Sequence, residues 1–154
     1  MRIHWSPDYE LGIAVIDAQH QRIVDYINTL DRLSGQPDAR LGVARVLYDL
    51  IDYTESHFSF EEALMADAGF PERDQHHLGH RRFTRQIEAL QRRHEEGEDV
   101  AELLLALLER WLVQHILVED ARYAEKVQDW INCIGRESLG GWVHHNVRRH
   151  FRLS

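Results

Sequence analysis

The stretch "ELLLALLERWLVQHILVEDARY", residues 102–123, is the most apolar part of the chain. It belongs to a longer segment, residues 99–135, that begins with acidic residues and ends at Gly135, two features typical of a helix start and a helix stop. The segment therefore predicts one long, buried helix. His115 lies in the middle of this helix.

Three earlier segments have apolar residues spaced three and four apart, which indicates one buried face on each of three further helices. The first begins near Asp17 and ends at "SGQPD", the second occupies residues 38–69, and the third begins at Pro71 and ends at Gly97. Their predicted apolar faces are formed by Ile23, Ile27, Leu30 and Leu33; by Val43, Leu47, Leu50, Ile51 and Phe58; and by Leu78, Phe83, Ile87 and Leu90.

Short polar loops connect these four helices, so neighbouring helices must run antiparallel. We therefore predict an all-α, antiparallel up-down-up-down four-helix bundle over residues 17–135. Residues 1–16 are predicted to form an irregular N-terminal arm, because Pro7 and Gly12 break any regular period, and residues 136–154 a short C-terminal helical tail. With 154 residues and 44% hydrophobic content, residues 1–154 fit a single domain with one core.

The composition limits which cellular compartments and which kinds of partner we expect for the chain. The chain has 18 basic and 26 acidic residues, a net charge of -8, which disfavours a nucleic-acid partner. The single Cys133 cannot form an internal disulfide, and neither a signal peptide nor a transmembrane segment is predicted. We expect a cytoplasmic monomer.

The chain has eleven histidines, and each predicted helix contributes at least one: His20, His57, His76 with His80, and His115. Residues four apart share one helix face, so His57 can act with Glu61 and His76 with His80. Each single histidine is also compatible with an ordinary core or surface role, but the two pairs favour a metal site between facing helices. His77 is predicted to face solvent.

Two sets of neighbours are predicted to stay out of that site. Glu62 is turned about 100° from Glu61 and is expected to make surface contacts or to support a ligand. The remaining histidines are predicted to lie on the surface: His4, His94, His144, His145 and His150.

Four motifs in this order resemble the successive metal-binding segments of the hemerythrins, specifically the single-domain bacterial ones: "IDAQH" (16–20), "HFSFEEALM" (57–65), "HHLGHRRF" (76–83) and "WLVQHILVEDARY" (111–123). The resemblance implies a non-haem centre of two iron ions. One iron would be bound by His76, His80 and His115, and the other by His20 and His57 with an open position. Glu61 and Asp120 would bridge both ions, together with an oxo or hydroxo group.

One spacing departs from regular helix geometry. From His115, an ideal helix would present Glu119, four residues on, rather than Asp120. The resemblance selects Asp120, which a local bulge in the helix would permit.

The resemblance implies reversible dioxygen binding for storage, delivery or sensing, with an oxygen-consuming enzyme as a possible recipient, rather than catalysis. Phe58, Leu112 and Ile116 would form an apolar dioxygen pocket, although core packing also explains them. Two alternatives stay open: a di-iron enzyme that reduces peroxide or nitric oxide or oxidises iron, and an interaction module that the metal stabilises. Tyr123 could donate a proton to such an enzyme, or its hydroxyl could already be bonded.

The tail holds Trp142 and Phe151 beside three arginines, Arg148, Arg149 and Arg152. We predict that the aromatic side chains pack onto the bundle near the metal site and that the arginines meet its acidic surface. The alternative is an amphipathic docking element for an acidic partner or a membrane surface.

Overall fold

The computed structural model describes residues 2–151. It contains a 3₁₀ turn, Pro7–Tyr9, and six α-helices: α1 (Ala14–Leu33), α2 (Arg40–Asp67), α3 (Arg73–Glu95), α4 (Ala101–Gln114), α5 (Ala121–Ile134) and α6 (Arg136–His150). A π-helical segment, His115–Asp120, joins α4 to α5 without a break in the helix.

The helices form the predicted bundle. Helix α1 packs against α2 and α4, and α3 packs against α2 and α4, so that four helices close around a common interior. The fourth bundle helix is the continuous unit of α4, the π segment and α5. The prediction of an all-α up-down-up-down bundle is confirmed. Within residues 2–151, no helix is long and apolar enough to cross a membrane.

Helix α1 begins at Ala14, three residues before Asp17, near which the sequence predicts its start. The reason lies in the Asp17 side chain, which accepts hydrogen bonds from the backbone N–H groups of Leu11 and Gly12 at 2.8 and 3.1 Å. These bonds tie the end of the arm to the first turn of the helix. Asp17 therefore acts inside the helix, instead of preceding it.

Two apolar clusters fill the bundle, one on each side of a polar layer. On α1, His20 lies between Ile16 of one cluster and Ile23 of the other. On the fourth helix, Asp120 lies between Ile116 and Tyr123 in the same way. The candidate ligands therefore occupy a single level of the bundle, enclosed above and below by apolar side chains.

Helix α6 folds back onto α2 and α5. The Trp142 ring meets that of Phe60 at 5.3 Å between centroids, and its Nε1–H donates to Asp67 Oδ2 at 2.7 Å. The Phe151 ring lies 5.3 Å from that of Tyr53. The predicted packing of the two aromatic residues is confirmed.

The arginines of the tail are predicted to meet the acidic surface of the bundle, but within the described part of the chain Arg148 and Arg149 have no carboxylate within 4.0 Å. Arg152 lies outside the described residues.

Candidate metal centre

The structure brings all seven predicted ligand residues into one buried cluster. Their fractional exposure is between 0% and 7%, and His76 is the most exposed of them. The members are His20 from α1, His57 and Glu61 from α2, His76 and His80 from α3, and His115 and Asp120 from the π segment. Ionisable side chains are rarely buried together unless they bind one another or a metal ion.

Glu61 lies at the centre of this cluster. Its Oε1 is 3.0–3.5 Å from the Nε2 atoms of three imidazoles: His76, His80 and His115. Its Oε2 is 3.2 and 3.7 Å from the Nε2 atoms of two others: His57 and His20. Each carboxylate oxygen therefore faces a different set of ring nitrogens, as a carboxylate that bridges two cations must.

The π segment explains the unusual spacing of Asp120. A π-helix bonds residues five apart instead of four, so the fifth residue after His115 lies on the same face as His115. Asp120 Oδ2 lies 3.0 Å from His115 Nε2 and 3.1 Å from His20 Nε2, and Oδ1 lies 2.9 Å from His76 Nε2. The helix therefore bulges where the sequence requires it, and Glu119 is left on the outer side, 3.6 Å from His115 Nδ1.

Within residues 2–151, several polar atoms of the cluster lie close to the groups described above but not in the orientation that a hydrogen bond requires. They are Asp120 Oδ2 and the Nε2 atoms of His20, His57, His80 and His115. A buried polar atom left without a partner costs about 1–3 kcal/mol. These atoms point into one small space, so a shared ligand would offset that cost.

The donor atoms fall into two overlapping groups, each spanning at most 4.8 Å. One group contains His20, His57, Glu61, His115 and Asp120, and the other contains Glu61, His76, His80 and His115. Imidazole and carboxylate donors in this proportion fit iron, zinc or another first-row transition metal. The residues present therefore fit two metal ions that share Glu61, and His115 lies within reach of both positions.

Two polar side chains orient the rings of His57 and His80 from outside the cluster. His57 Nδ1 lies 2.7 Å from Gln19 Oε1, and His80 Nδ1 lies 3.0 Å from Glu62 Oε2. An N–H at Nδ1 that donates to such an oxygen leaves Nε2 free to bind a metal. The predicted supporting contact of Glu62 is confirmed. Gln19 was not predicted, because its place next to His20 in the sequence gives no sign that it faces α2.

Aromatic rings enclose two of the imidazoles. Phe58 stacks on His80, with 3.8 Å between centroids and 6° between planes, and Trp111 stacks on His115 at 4.6 Å and 16°. Phe58 is buried, as are Leu112 and Ile116, and all three belong to one apolar cluster. The contact of Trp111 was not predicted, although its position one turn before His115 could have indicated it.

Burial and neighbouring charges both shift the pKa values of side chains in the cluster. Burial opposes ionisation of Glu61, but His115 and His57 outweigh it and hold the pKa of that carboxyl well below its usual value. Burial lowers the pKa of His57 to about 4. Burial also disfavours charge on His76, yet its hydrogen bonds with Asp120 and Glu61 raise its pKa to about 9.

Tyr123 is fully buried, and its hydroxyl donates to Glu61 Oε2 at 3.1 Å. Burial raises the pKa of this hydroxyl well above its usual value, and the nearby Glu61 carboxylate raises it further. The interpretation of Tyr123 as a buried tyrosine with a bonded hydroxyl is confirmed.

Two predictions for the remaining histidines have opposite outcomes. His77 is exposed as predicted, although its Nδ1 contacts Glu62 Oε1. The surface position predicted for His94 is wrong, because this residue is only 6% exposed. Its Nε2–H donates to the backbone oxygen of Arg40 at 3.2 Å, which ties the end of α3 to the start of α2.

Comparisons of the chain with known protein families, protein sequences and solved structures agree with one another. The pattern of the Hemerythrin HHE cation binding domain matches residues 11–127. A bacteriohemerythrin of Pseudomonas paraeruginosa is 42% identical over 149 residues, and one of Stenotrophomonas maltophilia is 38% identical over 148 residues; each alignment covers 96% of both chains. A solved structure of a hemerythrin mutant superposes with a TM-score of 0.76 at 25% identity, covering 81% of this chain and 96% of the other.

Proposed function

Because the chain belongs to the hemerythrin family, we propose that it binds dioxygen reversibly at a non-haem di-iron centre. The observation that carries this proposal is the position of Glu61, whose two oxygens face separate sets of imidazoles in a fully buried layer. Relatives that align with 96% of the chain bear the name bacteriohemerythrin, which supports the same function.

In this proposal, His76, His80 and His115 would hold one iron and His20 and His57 the other. Glu61 and Asp120 would supply carboxylate oxygens to both ions, together with an oxo or hydroxo group. The contacts of both carboxylates with ring nitrogens from different helices support the bridging role. Two iron ions held there would supply the electrons that dioxygen binding requires.

The protein's own side chains would keep the site reversible. Gln19 and Glu62 hold the rings of His57 and His80 in place, so that their Nε2 atoms keep their direction. Phe58, Leu112 and Ile116 form an apolar wall that would exclude water and protons from the bound dioxygen.

We propose binding rather than catalysis as the activity. Tyr123, the candidate proton donor, has its hydroxyl bonded to Glu61 and a raised pKa, so it is poorly suited to deliver a proton to a substrate. We further propose a cytoplasmic monomer that stores or senses dioxygen or delivers it to an oxygen-consuming enzyme. A lone cysteine, Cys133, fits a reducing compartment.

The test is to add dioxygen to the anaerobically reduced, iron-loaded protein, then to remove it while recording the visible spectrum. We expect a charge-transfer band that appears with dioxygen and disappears when dioxygen is removed, over several cycles. Irreversible bleaching together with turnover of peroxide or nitric oxide would instead assign an enzyme. An iron-loaded protein with no spectral response to dioxygen would leave the metal a structural role.

A further inference from the structure

Five exposed arginines surround the seam between α3 and the fourth bundle helix: Arg81, Arg82, Arg85, Arg110 and Arg122. In the described part of the chain, none of them has a carboxylate within 4.0 Å, whereas Arg2, Arg45 and Arg93 all form ion pairs. The outward surface of α3 supplies no negative charge to these arginines, because residues 75–87 contain no acidic side chain. The seam therefore carries an excess of positive charge, with two carboxylates nearby, those of Glu72 and Glu119.

Three shallow depressions meet at Arg82. One, of about 120 Å³, reaches His76, and the second, of about 300 Å³, reaches Trp111 and His115; both are also lined by Gly79. The third lies on the outer surface of α3. Glu119 Oε2 lies 3.6 Å from the position that a Cβ of Gly79 would take, so a carboxylate also lines both depressions beside the candidate metal ligands.

Two separate apolar patches lie beside these arginines, one on the outer surface of α3 and one in the second depression. Leu78, which the sequence pattern predicts in the core, is 62% exposed at the edge of the outer depression. Beside Arg82, Phe83 and Trp111 stack at 4.5 Å and line the second depression. Aromatic and apolar residues next to arginines are typical of the residues that contribute most to protein–protein binding.

We propose that this surface, the arginine seam (Arg81, Arg82, Arg85, Arg110 and Arg122 beside Leu78 and Trp111), is a docking site for an acidic face of a partner protein. The negative net charge of the chain favours an acidic protein as the partner over larger polyanions such as DNA or an anionic membrane. The net charge is -8 despite these five arginines, so a DNA duplex or an anionic bilayer would also meet a strongly acidic surface around the seam. A compact acidic face would contact the seam alone and would be steered to it.

The arginine seam lies next to the candidate metal site, so a partner bound there would be close to that site. His76 is the most exposed of the seven candidate ligands, and it lines one of the seam's depressions together with Arg122. A partner bound there would lie against the thinnest cover over the site. Docking requires only the surface residues, so its test is independent of the dioxygen chemistry proposed above.

The test measures binding of a poly-L-glutamate peptide to the full-length, iron-loaded protein by calorimetry, with NMR to locate the contact. The seam variant is R81E/R82E/R85E. The matched control is R136E/R148E/R149E, which makes the same change in charge at exposed positions of α6. A duplex DNA and phosphatidylglycerol vesicles serve as competing polyanions, and circular dichroism checks that each variant is folded.

We expect the seam variant to bind the peptide about tenfold more weakly than the control variant, because three attractive contacts become repulsive. Amide shifts should concentrate in residues 77–86, 110–111 and 119–122. Equal losses in the two variants would reduce the effect to net charge and overturn the proposal. Tighter binding of DNA or vesicles than of the peptide would overturn it in favour of a nucleic acid or a membrane. Leu78→Ala provides a variant without any charge change, and unaltered peptide binding by it would remove the outer apolar patch from the interface.

Discussion

Replacing Leu112 by alanine separates the two roles that this side chain can have. Leu112 is 0% exposed and lies one turn before His115, inside the larger apolar cluster. Removing a fully buried leucine side chain costs about 2–5 kcal/mol of folding free energy, through lost burial and the cavity left behind. For a domain of this length, each kcal/mol lowers the melting temperature by roughly 2–4 °C, so a fall of roughly 4–20 °C is expected.

If Leu112 also shields the bound dioxygen, the same truncation should speed autoxidation. The cavity would open beside His115 and admit water and protons to a site from which apolar packing otherwise excludes them. The assay follows the loss of the oxygenated visible band with time, at a temperature where the variant is fully folded. A faster loss in Leu112→Ala is the expected result.

Leu108→Ala is the matched control. Leu108 is also 0% exposed and belongs to the same cluster, but it lies one turn further from His115. Both variants should lose comparable stability, and only Leu112→Ala should oxidise markedly faster. Equal oxidation rates in the two variants would refute a shielding role and leave Leu112 with packing alone.

Three further changes test other parts of the site. Glu62→Ala should lower metal affinity about 10–100-fold in a chelator competition, since His80 loses the acceptor for its Nδ1–H, and Glu62→Gln should recover part of the loss. In the metal-free protein, His76 has a pKa raised to about 9, so metal uptake below that pH must expel its proton; affinity should therefore rise with pH toward about 9, and calorimetry in buffers of different ionisation enthalpy should detect the released proton. Truncation after Gly140 should raise the autoxidation rate with iron content unchanged, because α6 covers Phe60; unchanged dioxygen chemistry with lost binding to anionic vesicles would favour the docking role of the tail.

Much of this arrangement follows from sequence, because helical spacing determines which side chains share a face. His57 with Glu61, and His76 with His80, are four apart and do meet in the interior. Placing one histidine-bearing motif on each of four antiparallel helices then requires the motifs to converge at one level. Apolar residues on both sides of each motif, such as Ile16 and Ile23 around His20, determine that this level is buried.

Other features depend on contacts that spacing alone does not encode. Asp120 reaches the centre only through the π segment, and regular helix geometry would have selected Glu119. Gln19 adjoins His57 across two helices, which a pattern along one helix cannot predict. Leu78 follows the apolar period of α3 and yet is exposed, because no element of the described chain covers that side of the helix.

The most direct test of the central claim is an anaerobic titration of the metal-free protein with Fe(II), with the metal content of the desalted product measured afterwards. Seven buried candidate ligands, with Glu61 facing two sets of imidazoles, predict an end point near two iron ions per chain. An end point near one iron per chain, or zinc retained firmly in place of added iron, would contradict the di-iron centre.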